Sequence, residues 1–476
     1  MENKYYVCRM PWFLRLFLGV AAGFLMINMY GCTFSGSRSV SGNREENLNM
    51  GEESVLDIFA VSGNSRPAQT KSPKVLIGLN GYGADDKKTA FFLGGKEGGA
   101  FFVVDAITRE TVYKGEMIAS GHRSTNGELL LKGDFTEVSK EGTYYIEAPS
   151  IGRSYTFGIN GDYLEILRGN LLEALRNEAG RTDGVYLYKV QTLCWILRYE
   201  EFYGKQKAVG VPAELPEMLK CAKELGDRLI EQKEESLGVE EEAFYCSAMA
   251  GLYKALKPYD ERAARDYLRE AETVYRHLER RQYEEGFDEV WIFYDASVLY
   301  NATGSGAYHN ALKNYLKDYL KDAQERSLFA AGEKEEQILR DEAYIYGVVA
   351  YLTNTYGGDV DLCNGLMEDL LEETRSIGAE YNENPYLCVS SDLRNRVLSD
   401  RLYMLAVAEY AILSKEYVQM MKEGIHYIDG CNETGMSLLS KSGIRDEGRD
   451  TNDSDAAIGG AYLFVLGEIM ERESME

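Results

Sequence analysis

The hydrophobic period changes once along the chain, near residue 160, and that change sets what the chain can fold into. Between Lys74 and Ile159, apolar bursts alternate with turn-forming punctuation: KVLIGLN, TAFFLGG, AFFVVDA, TVYKGEM, ELLLKGDF, GTYYIEA and SYTFGI. Successive side chains of a strand point to opposite faces, so a half-buried strand repeats with period two. Seven such bursts predict a small β-sandwich of immunoglobulin type over residues 73–160. No Cys falls in this stretch, so the two sheets must be held by their apolar inner faces.

From Asp162 onward, apolar residues recur at i, i+3, i+4 and i+7, the spacing of one helix face. Eleven stretches carry the pattern, among them YLEILRGNLLEALRN, LPEMLKCAKELGDRLIEQ and LSDRLYMLAVAEYAILSK, and many end at Gly. They are of two kinds. AFYCSAMAGLYKAL is apolar nearly all round and suits an interior; ERAARDYLREAETVYRHLE carries a single stripe and suits a surface. No repeat of fixed length runs through them, as a TPR or HEAT array would require. About twelve helices over residues 161–476 fit an all-α (α/α)6 barrel, six inner helices ringed by six outer ones. A helical solenoid is the alternative.

Residues 1–31 stand outside either pattern. Lys4, Arg9 and Arg15 precede the apolar run Leu16–Tyr30, which is too short for an ordinary membrane span but right for a signal peptide. The run ends at Gly31-Cys32 and gives way to a Ser/Gly/Asn-rich stretch over 32–72, a flexible polar tether. A small residue before Cys resembles a bacterial lipoprotein signal, which implies lipidation of Cys32. An uncleaved anchor and ordinary secretion are the other two readings. All three place the protein outside the cytoplasm, and the first makes the membrane a partner through a lipid anchor.

The chain carries 77 Asp and Glu against 52 Lys and Arg, a formal charge of −25. Phosphate backbones are held by clustered cations, so no nucleic acid is expected as a partner. With 4 His and no CxxC pair among 8 Cys, neither a metal site nor a cofactor is expected. The Cys at 194, 221 and 246 lie in apolar helical patterns, where a thiol acts as a small hydrophobe.

Several stretches, in order, resemble the family 9 glycoside hydrolases of cellulase type with an N-terminal cellulase-Ig domain. In the sandwich these are VLIGLNGYGADDKKTAFF, FFVVDAITRETVYKGE and KGDFTEVSKEGTYYIE. In the helical part they are LPEMLKCAKELGDRLIEQ, SAMAGLYKALKPYDERAARDYLREAETVYRHLE, YDASVLYNATGSGAY and EYVQMMKEGIHYIDGCNETGMSLLSKSG. Each is weak alone; their collinearity from about residue 74 to 467 carries the likeness.

The resemblance implies inverting hydrolysis of a β-linked glucan or related oligosaccharide. One carboxylate activates water and a second acid protonates the leaving oxygen, about 6.5–9.5 Å apart. Aligned on Lys189, Asp183 matches the first Asp of the family's base motif and Tyr186 falls where the usual base stands. Aligned instead without a gap from Tyr199-Glu200, no acid falls on either position. Asp455, in DSDAAIGG, takes the place of the family's acid Glu, one methylene shorter by about 1.5 Å. Each also has a purely structural reading, Asp183 as a turn residue before Gly184 and Asp455 as part of a helix cap. Tyr186, Trp291, Tyr294, Tyr344 and Tyr386 are candidates for stacking on sugar rings, with Asn395 and Arg445 as polar contacts. The family's His-x-Arg sugar loop has no counterpart in SKSGIRDEGRDTND. A catalytically silent glycan-binding or scaffold protein of the same fold is therefore the second reading, and a polysaccharide lyase or epimerase on a helical toroid the third.

Overall fold

The computed structural model describes residues 73–181, 185–204, 214–233, 236–322, 328–329, 334–384, 386, 395–438 and 455–475. Residues 75–159 form nine short strands in two antiparallel sheets. The first sheet comprises β1 (Val75–Leu76), β2 (Thr89–Leu93), β5 (Ile118–Arg123) and β6 (Leu129–Asp134), in the order β1-β2-β6-β5. The second comprises β3 (Ala100–Asp105), β4 (Thr111–Glu116), β7 (Gly142–Ala148) and β8 (Gly152–Arg153), in the order β4-β3-β7-β8, with β9 (Phe157–Ile159) also on β7. Alternate residues of each strand point inward, so Val75, Phe92, Phe101, Leu131, Tyr144, Ile146 and Phe157 meet in one core. Phe101 reaches across the layer between Gly115 and Gly133, where an added Cβ would lie 2.3 and 2.4 Å from its ring. Those two glycines make room for the Phe101 ring.

Two strands escape the sequence pattern. The edge strand β5 is mostly exposed, so nothing demands that its residues alternate, and its Ser-Gly-His-Arg reads as a turn. Strand β8 is two exposed residues long.

Twelve helices follow among the described residues: α1 (Tyr163–Gly180), α2 (Tyr186–Tyr203), α3 (Glu217–Gln232), α4 (Val239–Leu256), α5 (Glu261–Arg281), α6 (Val290–Thr303), α7 (Gly306–Asp322), α8 (Glu335–Leu352), α9 (Val360–Glu383), α10 (Asn395–Ile412), α11 (Lys415–Ile428) and α12 (Asp455–Glu473). The even-numbered helices pack on one another in sequence, and α12 packs back on α2, so the inner ring closes. The odd-numbered helices stand behind them, which gives an (α/α)6 barrel and rules out an open solenoid. Burial follows the two sequence types. α4 buries every residue from Glu242 to Ala250, whereas α5 buries only Ala264, Tyr267, Ala271, Val274, Tyr275 and Leu278. The helix the pattern missed is α7, an outer helix rich in Lys, Asn and Asp that anchors through Leu312 and Leu316. No described helix is long and apolar enough to cross a membrane.

The sandwich docks on the end of α11 through polar and aromatic contacts. Asn80 donates its backbone N–H to one oxygen of Asp429 and its side-chain amide to the other at 2.6 Å. Lys422 pairs with Asp86 at 2.6 Å and Lys87 with Glu423 at 2.8 Å. Between them lies His426, buried against Tyr82 at 4.5 Å and Tyr163 at 6.3 Å between ring centres. Burial pushes its pKa down to about 4, so it packs as a neutral ring. The cysteines at 194, 221, 246, 363 and 431 carry free thiols.

Candidate active site

Because inner and outer helices alternate in direction along the chain, all six inner helices start at one rim of the barrel. Tyr186 opens α2, Asn395 opens α10 and Asp455 opens α12. Since α12 and α2 are neighbours in the ring, Asp455 and the start of α2 share one sector of that rim. Asp183, Arg445 and Cys32 lie outside the described residues.

Tyr186 is half-buried. Its hydroxyl donates to the Leu229 carbonyl at 3.1 Å, and its ring stacks on Tyr245 at 6.3 Å. Burial, followed by the charges of Glu241 and Glu270, raises its phenol further above the ordinary value, so it cannot serve as a carboxylate-like base. Asn395 is partly exposed at the rim.

The other aromatic candidates belong to the packed interior. Trp291 is 2% exposed and meets Phe244 edge-on at 6.4 Å. Tyr294, 1% exposed, lies against Phe244 at 5.6 Å and Tyr346 at 6.2 Å. Tyr344 sits against Phe293, and its hydroxyl donates to Asp369 at 2.7 Å. Tyr386 is wedged between Phe91 of the sandwich and Tyr427 of α11. Stacking on a sugar needs an open ring face, and burial closes these faces. Trp291, Tyr294 and Tyr344 sit on the interior faces of their helices.

Sequence reading missed a charged cluster just beneath the rim. Arg396, the second residue of α10, grips Glu342 of α8 with two hydrogen bonds of 2.6 Å each. Gln191 of α2 adds a third bond to the same carboxylate at 3.2 Å, and Glu335 at the rim stands 3.8 Å from the guanidinium. One turn deeper, Asp400 accepts from the Tyr346 hydroxyl at 3.4 Å. Burial first, and the Glu342 charge second, push Asp400 well above the usual carboxylate range. Glu342 and Arg396 are 1% and 3% exposed, which makes this cluster a clamp that ties the third turn of α8 to the first turn of α10. The available signal was positional. Glu342 precedes Ile345, Tyr346 and Val349 by three, four and seven residues, so it lies on the buried stripe of its own helix.

Among the described residues, no group of three or more His, Cys, Asp or Glu side chains is placed to hold a metal ion.

Two family models match the chain. The cellulase N-terminal ig-like domain covers residues 70–153, and glycosyl hydrolase family 9 covers residues 220–446. Asp183 and Asp455 both fall outside the matched spans. Three solved structures share the fold at 15% identity. A metagenome-derived glycoside hydrolase family 9 endoglucanase aligns with a TM-score of 0.64 over 83% of this chain and 98% of its own. A single-mutant thermostable endoglucanase from Alicyclobacillus acidocaldarius gives 0.63 over 84% and 100%, and a family 9 protein of Bacteroides ovatus 0.61 over 84% and 99%. No curated protein sequence matches at a significant level. The collinear motifs, the closed ring of inner helices behind an Ig-like sandwich, and the two adjoining family models together place the chain in glycosyl hydrolase family 9.

Proposed function

We propose that the protein is an extracytoplasmic glycoside hydrolase that cleaves a β-linked glucan or related oligosaccharide with inversion. Asp455 acts as the general acid and Asp183 as the base that activates water. The observation that carries this reading is the shared rim sector. Asp455 opens α12, Asp183 stands just ahead of α2 in the chain, and these two helices are neighbours running the same way. In the inverting mechanism the acid works on the leaving oxygen and the base on the opposite side of the ring. Endoglucanases among the structural neighbours, and a further neighbour in complex with a cellobiose-like isofagomine, support the substrate class.

Anomeric proton NMR on cello-oligosaccharides tests it. The first product should appear as the α-anomer, and Asp455→Ala should cut the rate by about 10²–10⁴-fold, the usual share of a general acid. Asp455→Glu restores the missing methylene and should raise the rate, by up to about 10²-fold. Absence of turnover across β-1,4 and mixed-linkage glucans would sink the reading.

A second reading is a silent glycan-binding member of the family. It is favoured by Tyr186 falling at the base position in the alignment on Lys189 and by a family 9 match over residues 220–446 that includes neither Asp183 nor Asp455. Calorimetry showing saturable oligosaccharide binding without hydrolysis would establish it.

For location, we propose lipidation at Cys32 and attachment to the outer side of a membrane. Cys32→Ser should move the protein from the membrane fraction to the soluble one.

A further inference from the structure

At the end of the barrel opposite the candidate active site lies a cavity of about 260 Å³, lined by the last turns of α2, α4, α6 and α8. Arg198 of α2 forms part of its wall. Its guanidinium lies over Tyr346, 3.8 Å from the ring centre, with Trp195 at 4.7 Å and Tyr403 at 5.7 Å. These rings hold the cation by its face and leave its N–H edge unused. Among the described residues no carboxylate or carbonyl accepts from it, and its Nη1 is buried without a partner. Two acids line the cavity, Glu200 and Glu201, and the second is already taken. Glu201 pairs with Lys254 at 2.6 Å, and that lysine also donates to Asn301 at 2.7 Å. Ser247, on the far wall, donates to Asp295 at 2.9 Å. Burial pushes Asp295 well above the usual carboxylate range.

A half-buried guanidinium whose Nη1 is buried without a partner is costly unless an acceptor completes it, and a planar carboxylate fits its fork with two charge-assisted hydrogen bonds. The four helix ends lining the cavity carry the negative ends of their dipoles, which disfavour anions. That field falls off within one turn, and Arg198 lies more than a turn inside the end of α2 at Tyr203. The remaining wall is largely apolar, with Leu197, Val298 and Ala350 facing the space. We propose that this cavity binds a small carboxylate-bearing ligand, its carboxylate on Arg198 and its body against the apolar wall. Such a ligand is a simple organic acid or a sugar acid.

The test is isothermal titration of the full chain with glucuronate, acetate and glucose. The expected result is saturable binding of glucuronate, acetate or both, with no binding of glucose at this site. Acetate binding marks a simple acid as sufficient; glucuronate alone marks a sugar acid. Arg198→Met should weaken binding about tenfold or more, and Arg198→Lys, which keeps the charge but not the fork, should restore part of it. Ala350→Leu fills the cavity without touching the charge and should abolish binding, which covers the case in which the arginine variants fail to fold. No binding of either acid, equal binding of glucose competing for the same site, or undiminished binding in Ala350→Leu would overturn the proposal.

Discussion

Two arginines face the interior of the inner ring, and they are held by opposite means. Arg396, near the rim where the inner helices start, is gripped by Glu342 through two short hydrogen bonds. Arg198, near the other end, is held by aromatic faces and has no carboxylate partner among the described residues. A guanidinium clamped by a carboxylate is spent on architecture, because its charge is neutralised and its Nε and Nη2 donors are used. One held only by its face keeps its edge available. The difference teaches where the barrel is rigid and where it retains unused binding capacity.

The sharpest way to break the contrast is Arg396→Met. It leaves Glu342 buried without its partner and should destabilise the barrel by about 3–5 kcal/mol in urea unfolding. The double variant Arg396→Met, Glu342→Met should recover most of that loss, because the stranded charge goes with its partner.

The second largest effect belongs to His426 at the seam between sandwich and barrel. Its folded pKa of about 4 lies below the unfolded value of about 6.5, so the unfolded chain takes up the proton first as pH falls. Its contribution is therefore fully present above about pH 6.5 and is lost as pH drops towards about 4, amounting to about 3 kcal/mol. Asp86 and Glu423 face the ring and oppose this shift, while Lys422 and Lys88 reinforce it. Urea midpoints across this window should fall more steeply for the native chain than for His426→Phe.

Between the two arginines, Gly460 of α12 lies on Trp195 of α2, where an added Cβ would come within 2.3 Å of the indole. Gly460→Ala should cost about 1–3 kcal/mol by overpacking this seam, measurable as a lower melting temperature. The smallest effect is expected from Arg198→Met, at most about 1 kcal/mol, since only cation–π contacts are lost and an unpaired charge leaves the interior. A loss as large as that of Arg396→Met would mean that Arg198 is architectural too, and the contrast would fail.

Local periodicity made most of the fold legible. Alternation in KVLIGLN and AFFVVDA marked the sandwich, and the unbroken apolar surface of AFYCSAMAGLYKAL marked an inner helix. Where burial imposed no pattern, the signal failed, as in exposed β5 and in thinly apolar α7. The site was less legible for a related reason. Trp291, Tyr294 and Tyr344 carry the spacing of a helix face, and that spacing is the same whether the face meets a cleft or another helix.

The sequence by itself determined the order of the two domains, the all-helical class of the second and the names of the candidate acids, because those rest on local pattern and collinear motifs. Only the tertiary structure decided that α12 closes on α2, that Glu342 answers Arg396 across 54 residues, and that Arg198 is left with unused donors. Such pairings depend on which helices become neighbours around a ring. Ring closure joins residues far apart in the chain, and no local period records it.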